Sequence, residues 1–131
     1  MKTLQPSGWA APKGYANGIA ARGRLVFVAG QVGWNAAQQF ESDDFVAQAS
    51  QALANVAAVL KEGGAMPAHV VRMTWYVLDK REYLASLPAL GKAYREVMGK
   101  HFPAMTAVEV SGLVEEGARV EIEATAVVPD D

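Results

Sequence analysis

Charged side chains alternate with apolar ones along two segments of the chain, and these segments offer residues for chemistry. Arg119, Glu121 and Glu123 are spaced two residues apart, and Arg72 and Thr74 have the same spacing. In a β-strand, such residues share one face of the sheet. A carboxylate held there can orient or deprotonate water. An outward acid on a strand is more often solvated or paired with an arginine, so both interpretations of Glu121 stay open.

Other reactive side chains are absent or isolated. The chain has no cysteine, which excludes disulfides, thiolate nucleophiles and zinc sites built from cysteine. His69 and His101 have no serine or second histidine at the spacing of a triad or a metal site, so we expect surface or capping roles for them. No phosphate-binding loop or calcium loop pattern occurs. The three tryptophans are more typical of a core or an interface than of a ligand site. Trp34, beside the turn predicted at Gly30 and Gln31, is the one that we single out as a binding candidate.

Length and charge describe one acidic domain. The chain has 131 residues and a formal net charge of -2, and its 12 basic residues are scattered rather than gathered in a stripe. We therefore expect a single domain over residues 1–131 with no nucleic-acid partner. No apolar run approaches the ~20 residues that span a bilayer. No apolar segment follows residues 1–6, so we do not expect a secretory signal. We expect a cytoplasmic location.

The first predicted helix carries an apolar stripe. Ser42 or Asp43 can cap its start, and apolar residues recur at three and four positions until Gly63 and Gly64 end it. The stripe consists of Phe45, Ala49, Ala52, Leu53, Val56, Val59 and Leu60. This pattern predicts a helix that packs one face on a sheet.

The second predicted helix is interrupted. It begins at Asp79, where the sequence resembles a capping box. Proline in a helix interior costs about 3 kcal/mol. We therefore expect a break near Ser86, with Pro88 in the first turn of a fresh helix that ends at Gly99. Its predicted buried stripe consists of Leu87, Leu90, Tyr94, Val97 and Met98.

Strands fill most of the remaining chain. Apolar and β-branched composition predicts them at residues 16–21, 25–29, 70–78, 104–110 and 119–128. The first two are expected to form a hairpin, with the second strand buried on both faces. In the third strand, the residues expected to face the helices are Val71, Met73, Trp75 and Val77.

The predicted order of elements is β-β-α-β-α-β-β, which indicates an α+β domain. Two amphipathic helices would cover one face of a mostly antiparallel sheet. The uncovered face would carry Arg72, Thr74, Glu121 and Glu123 among apolar residues. Such a half-polar face is either wet or packed against another chain.

Several short motifs occur in the order and spacing of a known family. They are Gly14-Tyr15, Val28-Ala29-Gly30-Gln31, Gln51-Ala52-Leu53-Ala54-Asn55-Val56, Val70-Val71-Arg72-Met73-Thr74, Phe102-Pro103-Ala104 and Val120-Glu121-Ile122-Glu123-Ala124. Together they resemble the reactive-intermediate deaminase (Rid, YjgF-type) family across nearly the whole chain. The resemblance implies a chorismate-mutase-like fold, a homotrimer with small-molecule sites in clefts between subunits, and neither a metal nor a cofactor.

The resemblance also implies a chemistry. Well-studied members hydrolyse enamines and imines to 2-keto acids and ammonia. An arginine holds the substrate carboxylate, and a glutamate positions water. By position, the glutamate is Glu121, which makes it the candidate catalytic residue. The substrate-binding positions fall on Tyr15, Ala29, Gly30, Gly91, Ala104 and Met105.

Met105 departs from the family pattern because it stands where the resemblance implies the arginine. A thioether cannot bind a carboxylate. Three interpretations remain: Met105 lines a pocket for a less charged ligand, another cation such as Arg72 or Arg119 holds the anion, or Met105 packs an interface beside a vestigial pocket. We expect low activity on 2-iminobutanoate and 2-aminoacrylate.

Two functions follow as hypotheses. The chain is either an enamine/imine deaminase-type hydrolase with altered specificity, or a non-catalytic trimer that binds a small, rather apolar metabolite. The label of ribonuclease or translation inhibitor, which some family members carry, is disfavoured by the acidic composition and the lack of a histidine pair.

Overall fold

The computed structural model describes residues 1–130. Its six strands are β1 (Lys2–Leu4), β2 (Gly18–Ala20), β3 (Arg24–Val32), β4 (Val70–Val77), β5 (Ala104–Glu109) and β6 (Val120–Val128). Its helices are α1 (Phe45–Glu62), α2 (Lys80–Ala85) and α3 (Leu87–Met98), with a short 3-10 helix at Pro67–His69. This is the predicted α+β class, with one more strand than expected. The second helix is divided at Ser86, as predicted.

The main sheet has the strand order β3-β6-β4-β5. β6 pairs antiparallel with β3 and β4, whereas β4 and β5 are parallel. The crossover between these parallel strands contains α2 and α3, as a parallel connection requires. The sheet is therefore mostly antiparallel, as predicted.

The helices cover one face of this sheet. The predicted stripe of α1 is buried except for Val59, and Leu90, Tyr94 and Met98 of α3 join the same core. Met73, Trp75 and Val77 of β4 lie beneath them, with Val120, Ile122 and Ala124 of β6. Charged and polar residues alternate with these core residues and so occupy the opposite, uncovered face.

The helix boundaries follow the predicted signals closely. α1 ends at Glu62 with Gly63 as its C-cap, and α2 ends at Ala85, so that Pro88 lies in the first turn of α3. The cap of α1 differs: Asp44, rather than Ser42 or Asp43, accepts a hydrogen bond from the backbone N–H of Ala47. The Ser42 hydroxyl instead accepts a hydrogen bond from the backbone N–H of Asp44, the residue that directly precedes the helix.

The predicted hairpin is wrong. β2 pairs with β1, a strand that was not predicted, and β3 pairs with β6. β3 is an edge strand, so it is not buried on both faces: Leu25 is 57% exposed and Phe27 is 72% exposed. Composition identified the strand but could not identify its partner.

The predicted face of β4 is wrong at one end. Val70, rather than Val71, is fully buried in the core. The pairing of β4 with β6 shifts register between Val70 and Arg72, and such a bulge reverses the alternation beyond it. Met73, Trp75 and Val77 lie on the predicted face.

Candidate functional site

A cavity of about 510 Å³ lies between α3, β5 and the loop that precedes β2. Predicted site residues Tyr15, Gly91 and Met105 line it. Met105 also packs against the core, so it combines a packing role with a place in the cavity wall. The volume falls within the ~300–1,000 Å³ typical of small-molecule sites.

Aromatic side chains form much of the cavity wall. Tyr94 stacks on Phe102 with ring centroids 5.5 Å apart and planes 6° apart, and Trp75 meets Tyr83 edge-on at 6.3 Å. The Tyr94 hydroxyl donates to the backbone carbonyl of His101 at 2.6 Å. Burial raises the pKa of both Tyr83 and Tyr94 above the ordinary value. These phenols are therefore neutral at pH 7 and do not act as bases.

Two cations, Lys13 and Arg95, also line the cavity. Arg95 lies one helical turn after Gly91, and a Cβ built on Gly91 would meet its Nη1 at 3.3 Å. The missing side chain at Gly91 thus leaves room for the guanidinium beside the cavity. Sequence reasoning did not select Arg95, although its i, i+4 spacing from Gly91 was a usable signal.

A buried donor adjoins the same cavity. Trp75, which is 4% exposed, lines it, and the indole N–H of Trp75 has no hydrogen-bond acceptor within residues 1–130. Buried polar groups are nearly always paired, and an unpaired one costs about 1–3 kcal/mol. The unpaired indole N–H of Trp75 is consequently an unusual feature of the cavity wall.

A second cleft of about 430 Å³ opens on the uncovered face of the sheet. Ala29 and Arg72 line it together with Glu123. The Tyr76 hydroxyl donates to Oε1 of Glu123 at 2.6 Å, and this bond raises the pKa of Tyr76. Glu123 is therefore held by a neighbour on the adjacent strand.

Glu121 lies on the same face, two residues before Glu123, but its surroundings differ. It forms no salt bridge and no side-chain hydrogen bond within the described residues. The register of β3 against β6 shifts between Val28 and Gln31, at Ala29 and Gly30. This irregularity brings the backbone of Gly30 against Glu121, where an added Cβ would lie 2.8 Å from the carboxyl carbon. Bulges of this kind often re-aim side chains beside active sites.

Within one chain, the predicted site residues thus form two groups. Tyr15, Gly91 and Met105 line the cavity on the helix side, whereas Ala29, Gly30 and Glu121 lie on or beside the uncovered face. Ala104 pairs with Arg72 at the start of β5 and is half-buried, but it lines neither cavity.

The remaining candidates have structural roles or lie elsewhere. His69 accepts from the Met66 backbone N–H, and His101 contacts the Val70 carbonyl, which fits the predicted capping roles. Trp34 packs on Phe40 with ring centroids 5.7 Å apart.

The two cations considered as replacements for the arginine do not line the cavity of Met105. Arg119 contacts Glu82 at 3.4 Å, and Arg72 lies in the second cleft. Within residues 1–130, no cluster of three or more His, Asp or Glu side chains could hold a metal ion. None of the helices in that range is long and apolar enough to cross a membrane.

Known proteins share both the sequence and this fold. The family model described as Endoribonuclease L-PSP matches residues 7–128. A RutC family protein of Haemophilus influenzae is 36% identical over 105 residues, which cover 80% of this chain and 80% of that protein. The 2-iminobutanoate/2-iminopropanoate deaminase of Capra hircus is 34% identical over 105 residues, covering 79% of this chain and 73% of the deaminase.

A solved structure agrees over nearly the full length. The crystal structure of a Rid-family protein of unknown function from Yersinia pestis matches with a TM-score of 0.85 at 32% identity, covering 97% of this chain and 98% of that one. The motifs, the sheet order and these matches lead to one conclusion: the chain belongs to the Rid (YjgF-type) family.

Proposed function

We propose that this protein is a deaminase-type hydrolase of an imine or enamine, with a specificity altered by Met105. The observation that carries the proposal is the Glu121 carboxylate, which rests against the backbone of Gly30 without an ion-pair partner in the described chain. A carboxylate free of neighbouring cations can accept a proton from water and direct that water at a C=N carbon. The deaminase name of the Capra hircus relative supports this reaction class.

The site requires more than one copy of the chain. Glu121 and Met105 lie on opposite faces of the sheet, so a second subunit would have to bring its uncovered face to the cavity of the first. The exposed apolar residues Leu25 and Phe27 on that face supply a surface for such contact. We propose a homotrimer in the cytoplasm, with ligand clefts between subunits and no nucleic-acid partner.

The proposed reaction uses only groups of the chain. Glu121 takes a proton from water as the oxygen attacks the imine carbon, and it returns this proton to the nitrogen. It then takes the hydroxyl proton of the tetrahedral adduct as the carbonyl forms and transfers it to the nitrogen, which leaves as ammonia. Small 2-imino acids should react slowly because Met105 cannot pair with their carboxylate.

A coupled assay tests this proposal. 2-Iminobutanoate and 2-aminoacrylate are generated in situ, and their hydrolysis is followed for the wild type, Met105→Arg and Glu121→Gln. We expect slow wild-type turnover, a gain of tenfold or more in Met105→Arg, and loss of that gain when Glu121→Gln is added. General-base groups typically contribute about 10²–10⁴-fold.

The volume-conserving variant Met105→Leu is the matched control and should leave the rate unchanged. Robust wild-type turnover of either substrate would contradict the role given to Met105. A rate that survives Glu121→Gln would contradict the role given to that carboxylate.

A non-catalytic binding trimer is the alternative, and one observation favours it. The cavity beside Met105 contains no carboxylate or histidine, and its buried phenols are held neutral. Catalysis therefore depends wholly on a glutamate from outside that cavity. If ligands bind the cavity while neither Met105→Arg nor the wild type hydrolyses any imine, the binding function replaces the hydrolase.

A further inference from the structure

The cavity beside Met105 is lined by positive charge, although Met105 itself replaces the arginine that the family resemblance implies at that position. Lys13 and Arg95 line it, and no aspartate or glutamate within residues 1–130 does so. Within one chain, these two cations without an acid in the same wall create a local potential that favours an anion. The missing arginine of β5 therefore does not leave the cavity without a cation.

Arg95 is free to serve this purpose. Its guanidinium forms no salt bridge and no hydrogen bond with the described residues. It lies within 3.3 Å of the point where a Gly91 side chain would begin. The planar guanidinium can donate two parallel hydrogen bonds to a carboxylate. The ammonium group of Lys13 attracts a carboxylate only as a point charge.

The remaining wall suits a ring. Tyr94 and Phe102 form a stacked pair, and Trp75 and Tyr83 form an edge-on pair on the same cavity. Phe102 is partly exposed, so a planar ligand can stack or pack edge-on against it. A volume of about 510 Å³ also exceeds the needs of a four-carbon acid.

We propose that Arg95, assisted by Lys13, is the carboxylate-binding cation of this cavity, and that its ligand is a carboxylate bearing an aromatic ring. The inference rests on the proposed function in one respect, namely that the same cavity receives the substrate. It names the substrate class of that site: ring-bearing acids in place of the small 2-imino acids.

Calorimetric titration of the full-length protein tests both parts of the proposal. The probes are phenylacetate, its neutral isostere phenylacetamide, and propionate, which lacks the ring. We expect phenylacetate to bind on the order of tenfold or more tightly than either of the others, with the advantage over the amide declining as salt is added.

Two variants separate the charge from the ring. Arg95→Gln should weaken phenylacetate about tenfold and leave phenylacetamide unchanged, whereas Phe102→Ala should weaken both ring-bearing probes. The matched control is Lys92→Gln, which removes an exposed cation from the same helix but not from the cavity. Because Arg95 is exposed, its replacement should not disturb the fold.

The inference is overturned if phenylacetate and phenylacetamide bind equally, if phenylacetate does not bind, or if Lys92→Gln weakens binding as much as Arg95→Gln does. Glu121→Gln keeps this test distinct from the test of hydrolysis, because it should abolish turnover while phenylacetate still binds more tightly than phenylacetamide. Selective binding without turnover in any variant refutes the hydrolase and supports the inference. Turnover without selective binding of phenylacetate supports the hydrolase and refutes the inference.

Discussion

Two glutamates on β6 illustrate how neighbours divide roles at the scale of single residues. Glu123 accepts a hydrogen bond from Tyr76, whereas Glu121 has no such partner among the described residues and lies against Gly30. The same residue type, two positions apart, is thus held in one case and free in the other. This contrast is why the proposed chemistry is assigned to Glu121.

The contact with Gly30 leads to the first prediction. In Gly30→Ala, the new Cβ would lie 2.8 Å from the Glu121 carboxyl carbon, so the carboxylate must move. We expect hydrolysis in a Met105→Arg background to fall at least tenfold, because misplaced catalytic groups lose rate steeply. Rate is measured in the coupled assay, and folding is checked by thermal unfolding.

Gly112→Ala is the control for this prediction, since its Cβ would meet no atom within 4 Å. It should leave the rate unchanged. A Gly30→Ala protein as active as the control would mean that the position of the Glu121 carboxylate does not matter.

Tyr94 provides a prediction about pH. Burial raises its pKa, so the folded protein binds the phenolic proton more tightly than the unfolded chain does. Its contribution to stability is complete below the unfolded pKa of about 10 and is lost as pH rises above it. Tyr94→Phe should therefore weaken the decline in the urea midpoint above pH 10. An unchanged decline would contradict the assignment.

Sequence reasoning selected some residues of the proposed site and missed others for a physical reason. Strand alternation places Glu121 on the uncovered face, and the family resemblance singles it out there. Arg95 occupies an exposed position of a helix, and such residues usually point into solvent. Its place beside the cavity depends on the bare backbone of Gly91 and on β5, which is distant in sequence. The i, i+4 spacing links Arg95 to Gly91, but periodicity contains no information about where this helix meets β5.

At the scale of elements, signals local to the chain were reliable and pairing was not. The glycines and Pro88 fixed the helix ends because each acts on the adjacent backbone, and the cap of α1 lies one residue beyond the predicted Asp43. The turn at Gly23 resembled a hairpin, yet Gly23 has a φ of 150° and lies against the backbone of Val128. Gly23 therefore precedes β3, which pairs with the C-terminal strand β6. Long-range partners of this kind are chosen by packing and not by turn residues.

Gln48 ties α1 to the loop before β6 and gives a prediction at this scale. The side chain is 1% exposed, donates to the carbonyls of Ser42 and Gly117, and accepts from the backbone N–H of Arg119. Gln48→Leu leaves three backbone groups unpaired, so unfolding free energy should fall by roughly 2–4 kcal/mol.

The measurement is urea unfolding at one fixed protein concentration, because association would shift the midpoint. Gln51→Leu is the control, since the side chain of Gln51 donates to Asn55 on the same helix and to no other group within residues 1–130. A loss in Gln48→Leu no larger than in the control would show that these three bonds add little.

At the scale of the whole molecule, the uncovered sheet face links the fold to the proposed function. It combines apolar residues on β3 with the charged residues of β4 and β6. A monomer would leave both Leu25 and Phe27 in water, although each side chain gains about 1.5–3 kcal/mol on full burial. In the proposed trimer, association of copies through this face would bury both side chains and would bring Glu121 toward the cavity of a neighbour.

Phe27→Asp tests this association directly. The new carboxylate would lie in the cleft that already contains Glu123, so burial against another copy would confine two like charges. Sedimentation velocity should find the wild type at three times the 13.9 kDa of one chain and the variant as monomers. Val114→Asp changes an apolar residue that is 94% exposed in a loop outside this face, and it should stay trimeric. A trimeric Phe27→Asp protein, or a monomeric wild type, would mean that copies do not meet through this face, and Glu121 would then lack a route to the cavity of Met105.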